Sequence, residues 1–208
     1  MSVSPAVALQ RMRRAAAADR PDVFGSTALK ITHTPLDRQW RRTRTAAVPA
    51  GSWAGRLGAI GGLDSHRKLE LVNSWVNTHI KFADDRQIYG STDHWAGLSE
   101  AIRRGRGDCE DYAIAKRQLL RAIGFADNDL YLTIVRDLVR RADHAVLVVR
   151  VDDQFLVLDN GTNRIVDAQD IADYRPVFSF TATGAWLHGY RRELQFASAA
   201  TAPVPSTR

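Results

Sequence analysis

The chain has 208 residues, 45% of them hydrophobic and 25% charged, which suits one packed core and excludes wholesale disorder. Its formal charge of +6 is concentrated at the start, where residues 1–60 hold ten Lys/Arg against three Asp/Glu. A single cysteine, Cys109, excludes an intrachain disulfide, and no run approaches the ~20 apolar residues of a membrane span.

Residues 1–62 are rich in Ala, Arg, Gly and Pro and show weak periodicity. They read as a basic N-terminal arm and loop belonging to the same domain as residues 63–197. Arg11, Arg13, Arg14, Arg38, Arg41, Arg42 and Arg44 could meet nucleic acid or anionic lipid. No zinc, helix-turn-helix or stacking-aromatic pattern accompanies them, so a solvated arm is the preferred reading and no nucleic-acid partner is expected. The Ala-rich stretch at residues 15–18 lacks a real hydrophobic region, so no signal peptide is expected in the sequence as given.

From Asp64 or Ser65, either able to cap a helix, Leu69, Val72, Trp75, Val76 and Ile80 recur at three-to-four spacing. That pattern predicts an amphipathic helix, with Trp75 in its packing stripe. Phe82 to Gly107 reads as a long loop with one short helix over Leu98 to Arg103, and long loops inside compact domains are usually functional. A second helix is predicted from Cys109 to Ile123, stopping at Gly124.

Three strand-like runs follow: Leu130 to Arg136, His144 to Val151 and Gln154 to Asp159, the last two a hairpin about Asp152 and Asp153. Beyond the turn signal Asn160-Gly161, a short helix over Ala168 to Tyr174 and a strand over Val177 to Phe180 are expected. The small, polar, Pro-bearing tail 198–208 is expected to be flexible.

Cys109 stands where a helix begins, beside unpaired backbone N–H groups and a partial positive charge that favour a thiolate and an oxyanion. Asp108, Glu110 and Asp111 flank the sulfur, which makes the alternative, a buried apolar cysteine, a poor fit. A thiolate needs a proton acceptor held in one orientation. If Asp152 and Asp153 form a two-residue turn, Val151 pairs with Gln154, Val146 lies opposite Asp159, and His144 is the diagonal neighbour of Asp159 on one face. A one-residue slip would present Asn160 instead, which can also orient an imidazole. Taken singly, His144 could be a strand-end histidine and Asp159 a turn-initiating acid. Together with Cys109 they suggest a catalytic set.

The string GDCEDYAIAKRQLLRAIG from Gly107 to Gly124, then HAVLVV from His144 and LVLDN ending at Asn160, resembles the bacterial transglutaminase-like cysteine peptidases of the LapG type. The likeness extends through LVNSWVN from Leu71, DDRQIYGSTDHWAGLSE from Asp84 and YRPVFSF from Tyr174. The resemblance implies an α+β papain-like or transglutaminase-like core, with the nucleophile at the N-terminus of a central helix packed on an antiparallel sheet. Cys109, His144 and Asp159 match its catalytic order. It also implies calcium, held by the acids around the nucleophile, here Asp108, Glu110 and Asp111, and oxygen-rich clusters suit that ion. Three carboxylates beside a sulfur disfavour its thiolate, and a cation would relieve the conflict; alternatively, Glu110 and Asp111 merely favour the helix start. Trp95 falls in the segment before the nucleophile, as a cleft residue or a core aromatic, and Asn160 is a second possible cleft residue. His94 and His188 receive no assignment.

Three functions compete. The first is a calcium-dependent cysteine endopeptidase that cleaves a surface adhesin in the periplasm under an inner-membrane cyclic-di-GMP receptor, as the resemblance implies. The second is transglutaminase-type acyl transfer to an amine. The third is a protein-binding module that keeps the fold without turnover.

Overall fold

The computed structural model describes residues 20–46, 48, 60, 62–90 and 93–190. A seven-stranded antiparallel sheet runs in the order β1-β9-β8-β4-β5-β6-β7. Its strands are β1 (Thr27–Ile31), β4 (Leu130–Asp137), β5 (Ala142–Val151), β6 (Gln154–Leu158), β7 (Val166–Asp167), β8 (Tyr174–Phe180) and β9 (Ala185–Gly189). The helices are α1 (Asp37–Thr43), α2 (Ser65–His79), α3 (Asp85–Tyr89), α4 (Leu98–Arg104) and α5 (Cys109–Ala122), with β2 (Lys81–Phe82) and β3 (Arg106–Gly107) as a separate parallel pair.

The central helix α5 packs on β4 and β5 and is flanked by α2 and α4. Its apolar residues Ile114, Leu119 and Leu120 join Leu69, Val76, Leu130, Leu132, Leu147, Leu158 and Phe180 in the main core. Alternate residues of the same strands, Tyr131, Val146, Val148 and Val157, fill a second core on the opposite face with Val23, Phe24 and Trp186. With both faces buried, the middle strands read as continuous apolar runs.

Local chemistry sets the ends of these elements. Asp64 caps α2 by accepting the Arg67 N–H at 2.9 Å, as anticipated for one of the two candidates. Helix α5 ends in a Schellman motif: Gly124, at φ +98°, and Phe125 return their N–H groups to Arg121 and Leu120 at 3.1 and 3.0 Å. In the β5–β6 hairpin Val151 faces Gln154 and the pairing runs on to Leu147 and Leu158. Asp152 and Asp153 both have positive φ, 47° and 65°, as a type I′ turn requires.

The structure differs from the sequence reading in several places, among them the strand β9, which the sequence reading did not include. The stretch read as arm and loop contributes β1, which extends the sheet beside β9, and α1, whose Trp40 is buried and donates through Nε1 to the Thr181 carbonyl at 3.1 Å. Five- and seven-residue elements are too short to give a clear period. The helix expected over 168–174 is a single 3₁₀ turn, Ala168–Asp170, and β8 already begins at Tyr174. The expected loop from Phe82 to Gly107 contains α3 as well as α4, and its ends are closed by the pairing of Phe82 with Gly107. That closure sets Asp85 beside Asp108. The tail 198–208 lies outside the described residues.

Candidate active site

Cys109 is the first residue of α5, with Asp108 at the cap in extended conformation; the Asp108 side chain makes no capping bond. The first helical bond runs from the Tyr112 N–H to the Asp108 carbonyl. The N–H groups of the opening turn therefore remain free of helix partners, the arrangement an oxyanion needs. The backbone N–H of Ala145 lies near enough to the sulfur to favour its thiolate, which places β5, one residue from His144, beside the nucleophile.

On β5 and at the end of β6 the predicted pair meets. Nε2 of His144 and Oδ1 of Asp159 lie 3.1 Å apart, both side chains nearly sealed from solvent. An ionised carboxylate only accepts, so the proton sits on Nε2 and Nδ1 carries the basic lone pair. Asp159 also accepts the Gly161 N–H at Oδ1, 2.8 Å, and the Tyr174 hydroxyl at Oδ2, 2.6 Å. Burial opposes its charge, but the bonds from His144, Gly161 and Tyr174 outweigh it and hold the carboxyl well below the usual carboxylate range. The Asn160 amide oxygen, by contrast, is buried with no hydrogen-bond partner among the described residues.

The nucleophile is held in its protonated form. Its thiol donates to Oε2 of Glu110 at 3.0 Å. Burial, then the charge and hydrogen bond of Glu110, then the charge of Asp108 push the thiol far above its ordinary value, against a smaller favourable influence of the Ala145 backbone N–H. Left so, Cys109 is a poor nucleophile.

A trio of carboxylates adjoins the sulfur. Asp85, Asp108 and Asp111 bring one oxygen each within 4.8 Å of one another. Of the acids expected as ligands, Asp108 and Asp111 belong to it. Glu110 bonds the sulfur and stands outside the trio, and Asp85 from α3 takes the third place. Sequence reasoning missed Asp85, because no spacing rule joins a residue at the start of α3 to a helix start more than twenty positions later. The chemistry fits a hard cation. Asp85 and Asp111 each use one oxygen to accept a backbone N–H, from His94 and, at 2.7 Å, from Ala96. Asp85 Oδ1, Asp108 Oδ1 and Asp111 Oδ2 are left buried without hydrogen-bond partners among the described residues. Orphaned oxygens of this kind, fixed by bonds to the opposite oxygen, are ligands in waiting. Burial raises all three carboxyls, Asp111 to about 8, and neighbouring carboxylates add to it, while the backbone hydrogen bonds to Asp85 and Asp111 oppose it. Gly107 keeps room for them, since a Cβ there would meet Asp111 Oδ2 at 2.7 Å.

Trp95 is 3% exposed and packs edge-on to Phe180 in the main core, so it is a core aromatic and not a cleft wall. His94 contacts Glu100 and the Tyr89 ring, and His188 is buried between the Ser26 and Ser179 hydroxyls. Tyr174, the first residue of the YRPVFSF stretch, reaches Asp159 although no spacing in the sequence singles it out.

A cysteine at a helix start, an imidazole and carboxylate on a neighbouring hairpin and a mixed helix–antiparallel sheet core define a papain-like α+β cysteine hydrolase. The chain belongs to the bacterial transglutaminase-like cysteine proteinases, the family that matches residues 61–188. It is therefore a cysteine peptidase, with protein as its substrate class. It is similar to Legionella pneumophila LapG, with 33% identity over 65% of this chain and 76% of that one, at a TM-score of 0.59. The EGTA-treated form of that protein aligns with 33% identity over 68% and 76% at 0.61, and the calcium-bound form with 29% identity over 74% and 88% at 0.60. No curated protein matches the chain. Among the described residues no helix is long and apolar enough to cross a membrane.

Proposed function

We propose that the chain is a calcium-dependent endopeptidase that cuts a bacterial surface adhesin in the periplasm, with Cys109 as nucleophile, His144 as base and Asp159 as orienting acid. The observation that carries the reading is the 3.1 Å pairing of His144 with Asp159 on the hairpin whose Ala145 backbone lies beside the sulfur of Cys109. In the reaction Nδ1 of His144 takes the thiol proton and Sγ bonds to the peptide carbonyl carbon. The carbonyl oxygen, now an oxyanion, draws on the free N–H groups of the first turn of α5. The C–N bond then breaks, and the imidazolium returns its proton to the departing amine. Water, deprotonated by the same ring, releases the acyl group from sulfur.

Calcium enters through chemistry and likeness together. Asp85, Asp108 and Asp111 would hold the ion, whose positive charge would offset the Glu110 and Asp108 carboxylates that disfavour the thiolate. The resemblance to LapG, solved with calcium, supports that ion over other hard cations. The adhesin substrate, the periplasmic setting and an inner-membrane cyclic-di-GMP receptor as regulator rest on the same resemblance.

The test mixes the protein with adhesin N-terminal segments in Ca²⁺ and in EGTA, beside Cys109→Ala. Cleavage in Ca²⁺ alone, lost in the mutant, supports the proposal. Equal cutting in EGTA removes calcium from it, an intact substrate removes the adhesin, and an adduct with added primary amine in place of a cut means acyl transfer.

A further inference from the structure

The phenol of Tyr174 touches both the nucleophile's base, His144, and the acid that orients it, Asp159. Its hydroxyl donates to Oδ2 of Asp159 at 2.6 Å, and its ring meets the His144 ring edge-to-face at a centroid distance of 5.7 Å and an interplanar angle of 62°. On another side the same ring packs against Phe24, again edge-to-face, at 5.7 Å and 64°. Phe24 is buried, anchored in the second core with Val23 and Ala28. Tyr174 itself is fixed at the start of β8 by pairing with Asp137 of β4.

From these contacts we infer that Tyr174, braced by Phe24, is a positioning residue for the reaction, holding the Asp159 carboxylate and the His144 ring in one relative orientation. The inference rests on the Cys109–His144–Asp159 reading. With Gly161 on Oδ1 and Tyr174 on Oδ2, each oxygen of Asp159 has a donor besides His144 or in place of it, so the carboxylate has no free rotation to a second hydrogen-bonded state. An imidazole paired to a loosely held carboxylate samples rotamers in which Nδ1 points away from the sulfur, and a misplacement of that kind acts on the chemical step. The ring adds a second restraint, because the edge-to-face contact blocks one side of the imidazole. The phenol stays protonated, and so stays a donor, because burial and the carboxylate it serves raise its ionisation. Its charged neighbours are Asp159, Asp137 and Arg140. The N-terminal segment thereby acquires a role that its basic composition did not suggest: residue 24 steadies the active site from behind.

The experiment compares Tyr174→Phe, Phe24→Ala and Asp159→Ala in the full chain with Ca²⁺, using a cleavable peptide and normalising to the active-site titre of Cys109. Tyr174→Phe keeps the ring and loses one donor. Its kcat is expected to fall about tenfold, the scale of one hydrogen bond to a charged group, with KM unchanged. The acidic limb of its pH profile should move upward, because a carboxylate relieved of its phenol is a stronger partner for the imidazolium, which must lose its proton before the ring can act as base. Phe24→Ala should lower kcat in the same sense. A purely structural Tyr174 would lower the melting temperature and leave kcat per titrated site and the pH limb in place, and that result overturns the inference. If Asp159→Ala is itself fully active, the triad reading fails first. Should Asp159→Ala be dead and Tyr174→Phe match the wild type, only the positioning role is lost.

Discussion

The Nε2–H of His144 reaches Oδ1 of Asp159 across 3.1 Å, and that bond decides which ring nitrogen is basic. Asp159→Asn keeps the shape but presents an amide that can also donate, so the ring can adopt the opposite tautomer. We expect kcat to fall by roughly 10²–10⁴, the range seen when such an acid is neutralised, with the fold intact by circular dichroism. Activity within a factor of three of the wild type would show that Asp159 does not orient the base.

The register that unites those two residues was legible because a two-residue turn and a period of two leave only one free choice. Asp152-Asp153 made that choice, and both residues adopt the positive φ of the tight turn. Cys109 was legible because a helical pattern runs from it to Ile123 and stops at Gly124, which puts the sulfur at a helix start. Asp85 and Tyr174 were not, because each reaches the site by tertiary closure: Asp85 through the Phe82–Gly107 pairing and Tyr174 through β8 pairing with β4. Elements β1, α1 and β9 stayed hidden because short segments carry too little pattern to compete with turn and loop composition.

Acidity should distinguish the metal-free from the calcium-loaded protein. Burial raises Asp85, Asp108 and Asp111, the last to about 8. An unfolded aspartate loses its proton near pH ~4. Between that value and about 8 the folded state binds more protons than the unfolded one, so stability falls as pH rises. In the proposed calcium-bound form the ion would take the place of those protons. The melting temperature in EGTA should therefore decline from pH 5 to 8, while Ca²⁺ at a hundred times its Kd should restore about 2.7 kcal/mol at pH 8. Identical melting curves in EGTA and Ca²⁺ at pH 8 would leave the trio without a cation.

Glu110 restrains the sulfur. Its carboxylate accepts the thiol proton at 3.0 Å and stands second only to burial in raising the Cys109 thiol. In Glu110→Gln the charge is gone and the thiolate is less disfavoured, so alkylation of the metal-free protein by iodoacetamide at pH 8 should quicken by about tenfold. The cost to the helix start should stay near 0.3–1 kcal/mol. An unchanged or slower alkylation rate would mean that the carboxylate does not govern the thiol.

Lys116 lies two turns beyond Cys109 on α5, 0% exposed, and its Nζ has no hydrogen-bond partner among the described residues. Among the described residues, the Tyr112 ring, 5.7 Å away, and the charge of Asp159 favour its ammonium form. Burial outweighs both and lowers its pKa to about 7. Methionine fills nearly the same volume without a charge, so Lys116→Met should stabilise the protein by about 1–4 kcal/mol at pH 6, where the amine must be buried charged. The sign of the pH dependence is fixed. Between about 7 and the unfolded value of ~10.4 the unfolded chain holds a proton that the folded one lacks, so the wild type gains stability as pH rises and the advantage of Met shrinks. Thermal melts of both proteins at pH 6 and pH 9 measure that difference. A variant that melts lower than the wild type at pH 6 would show that the ammonium has a stabilising partner in solution.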